Sequence, residues 1–341
     1  MKKTNLFAVL ALAATPAFLH AQTTNYSDIV GYQKVSVPVG ASTAGFPMLN
    51  PDVLKTTATS LSGSVLTLTG QSNVGSLLTS GEPYYLEVYS GALKGERFDV
   101  DTAATISAAN GTIVLSASSG NNSFPVASIA SSLDGATVAV RQHVTLDQIR
   151  TSASPALVGN NFATSADQVQ LYNPNTKSYL SYYLRGDGTN WRVTGATTNG
   201  FNKIVIPPGT GVFIQKRTAG TEITTAGNVR QNDFSRPYVA GLQLLSSPYP
   251  LNYTAAGFGA SSSNGWTANN FATSADQIQI YNPGSKNYTS YYLRGDGTYW
   301  RKAGSTTNEL ASFEMINPAN GFFVLRRSAD NNNILINPIN N

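Results

Sequence analysis

The residues best suited to chemistry occur twice, as aromatic and arginine side chains at the same spacing in two copies of one segment. Residues 161–199 reappear as residues 270–308, and by direct count 29 of the 39 positions are identical. A flat ring beside an arginine suits the apolar faces and hydroxyl groups of sugars, and two equivalent surfaces in one chain gain avidity. We therefore predict ligand binding by Tyr183, Arg185 and Trp191 in the first copy and by Tyr292, Arg294 and Trp300 in the second.

Alternation along one predicted strand decides which of these side chains face solvent. In residues 179–185 the odd-numbered positions, which include Tyr183 and Arg185, share one face, and two leucines and a tyrosine share the other. We expect the Leu/Tyr face to join the core and the Tyr/Arg face to be exposed, with Trp191 just across the following turn. Residues 288–294 repeat this pattern. The other interpretation, which the preference of Tyr and Trp for strands favours, is that the rings form cross-strand pairs that stiffen the sheet.

Catalytic groups are few in this sequence. Beyond residue 21 the chain has one histidine, His143, and it has no cysteine, which excludes disulfides, thiolate metal sites and cysteine nucleophiles. Glycoside hydrolysis requires two carboxylates, and Asp99, Asp101 and Glu87 could supply them from one predicted hairpin. Solvated strand edges give the same pattern, so we expect no enzymatic activity, no cofactor and no metal site.

Two tripeptides have an adhesive interpretation and a structural one. Arg185-Gly186-Asp187 and Arg294-Gly295-Asp296 spell the sequence that animal integrins recognise. The Gly-Asp-Gly-Thr residues also suit a tight turn, which is the interpretation we favour. A calcium site at these turns would need further acidic residues, such as Asp167 or Asp276, brought in from elsewhere.

The first residues indicate export. Lys2 and Lys3 precede the apolar run 6–14, and Ala21 precedes Gln22, so residues 1–21 read as a secretory signal peptide. No later stretch approaches the ~20 apolar residues that a membrane-spanning helix requires. We expect a secreted protein located extracellularly, at the cell surface or in the periplasm.

Charge and composition limit the partners. The net charge is +4 with 12% charged residues, and no cluster of Lys and Arg is interleaved with aromatic residues, so nucleic-acid binding is not expected. The expected partner is a polysaccharide or another cell-surface component, and self-association is a further expectation.

The whole chain has the pattern of an all-β protein. Short alternating runs recur between clusters of Gly, Asn, Asp, Ser and Pro. We predict an N-terminal β domain over residues 22–150, followed by two homologous β-sandwich or barrel-like modules over residues 151–235 and 236–341.

Several phrases resemble modules of secreted bacterial proteins. GLQLLSSPYP (241–250), DQIQIYNP (276–283) and PANGFFV (318–324) are similar to modules that run "GWNLIsnPyp…YdpatgsY…PGqGFfV". YYLEVYSGALKGERFDV (84–100) is similar to a second signature, of an uncharacterised secreted family found in some Gram-negative bacteria. The resemblance covers most of the chain after residue 21 and implies export and a β fold. No activity is established for that family, so the resemblance supplies no site residues.

The sequence therefore predicts an exported, non-enzymatic surface or extracellular-matrix protein that acts in adhesion, envelope structure or glycan binding. A polysaccharide-degrading enzyme and a self-assembling structural protein of the cell surface are the alternatives.

Overall fold

The computed structural model describes residues 29–308 and 314–329 and the backbone of residues 334–335. The predicted signal peptide, residues 1–21, lies outside the described residues. The chain is mostly strands arranged in antiparallel sheets, which confirms the all-β prediction. Within the described part of the chain, no helix combines the length and apolarity needed to span a bilayer.

The elements follow one another in this order. The first part of the chain contains β1 Val30–Val37, β2 Gly40–Ala44, β3 Asp52–Ser62, β4 Val65–Leu68, β5 Tyr84–Val88, β6 Arg97–Val100, α1 Thr102–Ala108, β7 Thr112–Val114, β8 Thr137–Gln142, β9 Val144–Thr145, α2 Leu146–Thr151 and β10 Ala153–Ser154. The remainder contains β11 Gln168–Asn173, β12 Ser178–Leu184, β13 Trp191–Val193, β14 Val205–Ile206, β15 Val212–Lys216, β16 Thr221–Asn228, β17 Phe234–Ser235, β18 Gly241–Ser246, β19 Tyr253–Thr254, β20 Gln277–Asn282, β21 Asn287–Leu293, β22 Trp300–Lys302, β23 Glu314–Ile316, β24 Gly321–Arg326 and β25 Ile334–Leu335. Short 3-10 helices span Val74–Leu77, Val126–Ser128, Ala130–Leu133 and Ser262–Asn264.

The two copies of the repeated segment fold into sheets of the same strand order. The first-repeat sheet runs β13-β12-β11-β15-β2, and the second-repeat sheet runs β22-β21-β20-β24-β18. Their edge strands are in the same register, because Gly40 pairs with Lys216 as Gly241 pairs with Arg326. Strand β2 is therefore the first-repeat equivalent of β18.

The first-repeat sheet therefore combines strands that lie far apart in the sequence. Its strand β2 comes before residue 45, whereas its other strands come after residue 167. Between them, residues 52–142 form a six-stranded sheet in the order β6-β5-β8-β3-β4-β7. The boundary predicted at residue 150 stays untested as a domain limit, but β1 and β2 pair with strands β16 and β15 near the first repeat and not with the six-stranded sheet.

The six-stranded sheet has an apolar face and a charged face. Leu86 and Phe98 on the apolar face belong to a buried core with Val138 and Val140. On the other face, Glu87 is fully buried and forms ion pairs with Arg141 and Arg230. Burial of these charges requires such pairing, because an isolated ion inside a protein is costly.

The two repeat sheets pack against each other through equivalent aromatic residues. The ring of Tyr172 lies 5.9 Å from that of Phe323, and the equivalent ring of Tyr281 lies 5.2 Å from that of Phe213. Tyr179 and Tyr288 complete what we call the aromatic interface, which consists of Tyr172, Tyr179, Phe213, Tyr281, Tyr288 and Phe323. Reciprocal contacts of this kind are those of a two-fold symmetric dimer, formed here within one chain.

Candidate functional site: a duplicated surface loop

The structure places the six predicted site residues in two different environments. Trp191 is fully buried and Trp300 is 2% exposed, while Tyr183 and Tyr292 are each 6% exposed. Arg185 and Arg294 are partly exposed. The expected exposure of the two tryptophans and two tyrosines is therefore wrong, and a ring enclosed by protein cannot stack on a sugar. The two arginines keep access to solvent.

Strand register explains the burial of the tryptophans. Trp191 lies directly opposite Leu184, and Trp300 lies opposite Leu293. Residues directly opposite each other in an antiparallel pair share a face, so both tryptophans fall on the leucine face. That face packs into the core of its repeat, as expected for Tyr182 and Leu184. The other face of the same strand contributes Tyr179 to the aromatic interface, which favours the packing interpretation of these rings.

Each repeat instead exposes one phenylalanine that the sequence analysis missed. Phe162 is 74% exposed and Phe271 is 73% exposed, and both lie at the same position of the repeated segment. We call residues 158–167 and 267–276, which carry these rings, the Phe loops. The signal for it in the sequence is an apolar ring present in both copies of an otherwise polar loop, outside any alternating strand pattern.

The Phe loops have the same hydrogen bonds in both repeats. The amide of Phe162 donates to Asn160 Oδ1 and that of Phe271 to Asn269 Oδ1, both over 2.9 Å. The Phe162 carbonyl accepts from the amides of Ser165 and Ala166, each 3.1 Å away, and the Phe271 carbonyl accepts the equivalent pair. The exposed ring is therefore carried by an ordered backbone.

A buried carboxylate closes each Phe loop at its base. Asp167 is fully buried, pairs with Lys216, and accepts the amide of Val158 over 2.7 Å. In the second repeat Asp276 is also fully buried and forms an ion pair with Arg326 at 3.0 Å. These aspartates are thus committed to the loop base and are not brought to the Arg-Gly-Asp turns as calcium ligands.

The Arg-Gly-Asp segments form tight turns beside the Phe loops. Asp187 Oδ1 accepts the amides of Thr189 and Asn190 over 2.8 and 2.9 Å, and Gly188 takes φ +70°, which favours glycine. These backbone hydrogen bonds lower the pKa of Asp187 well below its usual range. Asp296 makes the equivalent bonds to Thr298 and Tyr299.

Arginine joins each turn to its Phe loop. Arg185 Nη1 donates to the carbonyl of Asn161, and Arg294 Nη1 donates to that of Asn270, both over 3.3 Å. A Cβ atom on Gly186 would lie 3.0 Å from Asn161 Oδ1, so the turn and the loop are in close contact. Each repeat thus has an exposed ring on its Phe loop and, on the turn that contacts this loop, an arginine and a carboxylate.

The carboxylates considered for hydrolysis have other partners. Asp99 Oδ1 lies 2.8 Å from His143 Nε2, and its second oxygen accepts from Ser119 and Asn121. Asp101 accepts the amide of Ala104 at the start of α1, and Glu87 lies in the buried ion pairs described above. The three carboxylates therefore do not converge on one open cleft.

Within the ranges that the structure describes, no group of three or more His, Asp or Glu side chains could hold a metal ion.

Comparisons with protein families, with curated proteins and with solved structures find no match for this chain. The resemblance to a secreted bacterial family therefore stays a prediction.

Proposed function

We propose that this protein is an exported, non-enzymatic surface or extracellular-matrix protein that binds glycan through its two Phe loops. The observation that carries the proposal is the pair of phenylalanines, 74% and 73% exposed, at equivalent positions of two ordered loops. Burying an aromatic ring is favourable, so a ring left in water at the equivalent position of both repeats offers each repeat an apolar contact surface for a ligand.

The surroundings of the ring suit a sugar. Arg185 and Arg294 can donate hydrogen bonds to hydroxyl groups, and the turn carboxylates of Asp187 and Asp296 can accept them. The ring supplies a flat apolar surface for the C–H face of a pyranose. This proposal keeps the two arginines of the sequence prediction and replaces their buried tyrosines and tryptophans with Phe162 and Phe271.

A glycan-array screen tests the proposal. The chain from Gln22 onward, the predicted mature form, is screened beside Phe162→Ala, Phe271→Ala and the double variant. We expect each single variant to weaken binding and the double variant to abolish it, because two linked sites raise the apparent affinity. Binding that is unchanged in the double variant would overturn the proposal.

Tyr32→Ala is the matched control. Tyr32 is 69% exposed on strand β1 and lies outside the repeated segment. Its removal takes away a similar exposed ring and should leave glycan binding unchanged. Equal thermal unfolding midpoints for all variants would establish that binding losses do not arise from unfolding.

Activity and assembly are measured on the same preparations. Release of reducing sugar from a bound glycan would favour the polysaccharide-degrading enzyme over the non-enzymatic protein. Filaments or lattices that grow with protein concentration, without glycan binding, would favour the self-assembling structural protein. Recovery of exported protein that begins at Gln22 would support the proposed secretion.

A further inference from the structure

A cleft of about 490 Å³ lies where the six-stranded sheet, the first repeat and the segment joining the two repeats meet. Its volume falls within the range of roughly 300–1,000 Å³ that is usual for small-molecule sites. It is separate from the Phe loops, whose residues do not line it.

The described residues that line the cleft carry a net positive charge. Arg97 and Arg236 line it, and no Asp or Glu is among the described residues of its wall. The guanidinium of Arg236 forms no ion pair with any carboxylate in the described part of the chain, and its one hydrogen bond goes to the carbonyl of Gly209. Burial, with a further contribution from the charge of Arg97, lowers the pKa of Arg236 to about 10, so it stays protonated at neutral pH.

The second arginine is already engaged. Arg97 Nη1 donates to the carbonyls of Gly95 and Ser235, over 3.2 and 2.9 Å, and its Cζ lies 4.0 Å from the centroid of the Phe234 ring. Arg97 therefore adds positive potential to the wall, and Arg236 has the N–H groups that remain for a ligand. A planar guanidinium fork matches a carboxylate in two parallel hydrogen bonds.

The rest of the wall suits a hydroxylated ring. Pro207, Pro208 and Leu180 supply apolar surface, and Tyr172 adds an aromatic side chain with a hydroxyl group. Asn175 lies at the rim with no side-chain hydrogen bond to the residues described, so its amide is open to a ligand hydroxyl. A hexuronate combines the three groups that this wall would recognise, namely a carboxylate, an apolar ring face and hydroxyl groups.

We propose that this cleft binds an acidic saccharide, a hexuronate, whose carboxylate pairs with Arg236. The site is distinct from the Phe loops, and only the carbohydrate nature of its ligand rests on the proposed function. Calorimetric titration of the exported protein with an oligogalacturonate and with a neutral hexose oligosaccharide of equal length tests it. We expect the acidic oligosaccharide to bind at least tenfold more tightly.

Variants separate the two sites. Arg236→Gln should weaken oligogalacturonate binding at least tenfold, whereas Arg301→Gln, which removes the same charge from β22, should leave it unchanged. Arg236 also donates a hydrogen bond to the backbone, so its substitution could disturb the fold. Leu180→Trp is therefore a second test: its bulky ring should obstruct the cleft and weaken binding, while the hydrogen bond of Arg236 stays in place. The Phe162→Ala, Phe271→Ala double variant should retain this binding.

Several outcomes would overturn the inference. Equal affinity for the acidic and neutral oligosaccharides would show that Arg236 does not recognise a carboxylate. If inorganic sulfate bound as tightly as the oligogalacturonate, the cleft would be an anion site without sugar recognition. If the Phe162→Ala, Phe271→Ala double variant lost oligogalacturonate binding and Arg236→Gln kept it, that binding would belong to the Phe loops. Neutral-glycan binding to the loops with no acidic binding would leave the proposed function standing and this inference refuted.

Discussion

Gly45 and Ser246 occupy the same position in the two repeats and face each other across the interface between them. A Cβ atom on Gly45 would lie 2.7 Å from the Cβ atom of Ser246. Their amides make equivalent bonds, since Gly45 donates to the carbonyl of Ala319 and Ser246 to that of Gly209, both over 2.9 Å. Only one of two equivalent positions at such a close approach can hold a side chain, which explains why the repeats differ here.

We therefore predict that Gly45→Ala lowers the free energy of unfolding by about 1–3 kcal/mol, the usual cost of overpacking. Urea denaturation monitored by tryptophan fluorescence measures it. Gly31→Ala is the control, because the nearest atom to a Cβ there is 3.5 Å away. Ser246→Gly should restore part of the loss in the double variant; the Pro318 carbonyl, 2.7 Å from the same Cβ position, limits the recovery. Equal stability of Gly45→Ala and Gly31→Ala would contradict the prediction.

The sequence predicts the strands well because alternation and turn residues are local. The strand predicted over residues 179–185 is found as β12, Ser178–Leu184, and a turn at residues 174–177 joins it to β11, Gln168–Asn173. The Arg-Gly-Asp turn was also predicted from local chemistry. In the structure, Asp187 forms this turn by accepting hydrogen bonds from two backbone amides.

Tertiary features were not predictable in the same way. The face on which Trp191 lies depends on its pairing with Leu184, which the turn between them sets and the alternation of either strand does not reveal. Strand β2 has a sequence of small residues, GASTA, with no resemblance to the GLQLLS of β18, so only its pairing with β15 identifies the equivalence. The Tyr/Arg face was expected to be exposed, whereas Tyr183 on that face is 6% exposed and Arg185 keeps only partial access to solvent.

The buried ion pair at the base of the first Phe loop should contribute strongly to stability. Asp167→Ala leaves Lys216 buried without its partner, which typically costs about 3–5 kcal/mol. Lys34→Ala removes an exposed ion pair to Glu222 and should cost far less, because solvent screens such a pair. Thermal unfolding of the two variants measures the contrast, and similar losses in both would show that the buried pair adds nothing beyond a surface pair.

Two substitutions of Asp187 test whether its hydrogen-bond acceptor or its negative charge holds the Arg-Gly-Asp turn. Asp187→Asn keeps an oxygen that can accept the amides of Thr189 and Asn190, so their hydrogen exchange should stay close to that of the unaltered protein. Asp187→Ala removes the acceptor, and the loss of about 0.5–1.5 kcal/mol per hydrogen bond should speed exchange about twofold to tenfold. Exchange in Asp187→Asn as fast as in Asp187→Ala would mean that the negative charge, and not the acceptor geometry, holds the turn.

The pairing of Asp99 with His143 should make stability depend on pH. Burial raises the pKa of Asp99, but hydrogen bonds from His143, Ser119 and Asn121 outweigh it, so the pKa is lowered below the ordinary value. A carboxyl whose pKa is lower in the folded state stabilises the fold above its unfolded pKa of about 3.9, and this contribution is lost as pH falls through the folded pKa.

Asp99→Asn should therefore lower the free energy of unfolding at pH 7 by about 1.5–3 kcal/mol, the range for a hydrogen bond to a charged group. The difference from the unaltered protein should shrink as pH falls below about 4, because the unfolded chain then binds a proton at Asp99 that the folded protein, with its lower pKa, does not yet bind. Urea denaturation across that pH range measures it. Asp101→Asn is the control, because asparagine caps a helix as well as aspartate does. A deficit in Asp99→Asn that keeps the same size from pH 7 down to about pH 3 would mean that the carboxylate charge plays no part, and that the loss arises from altered packing around His143.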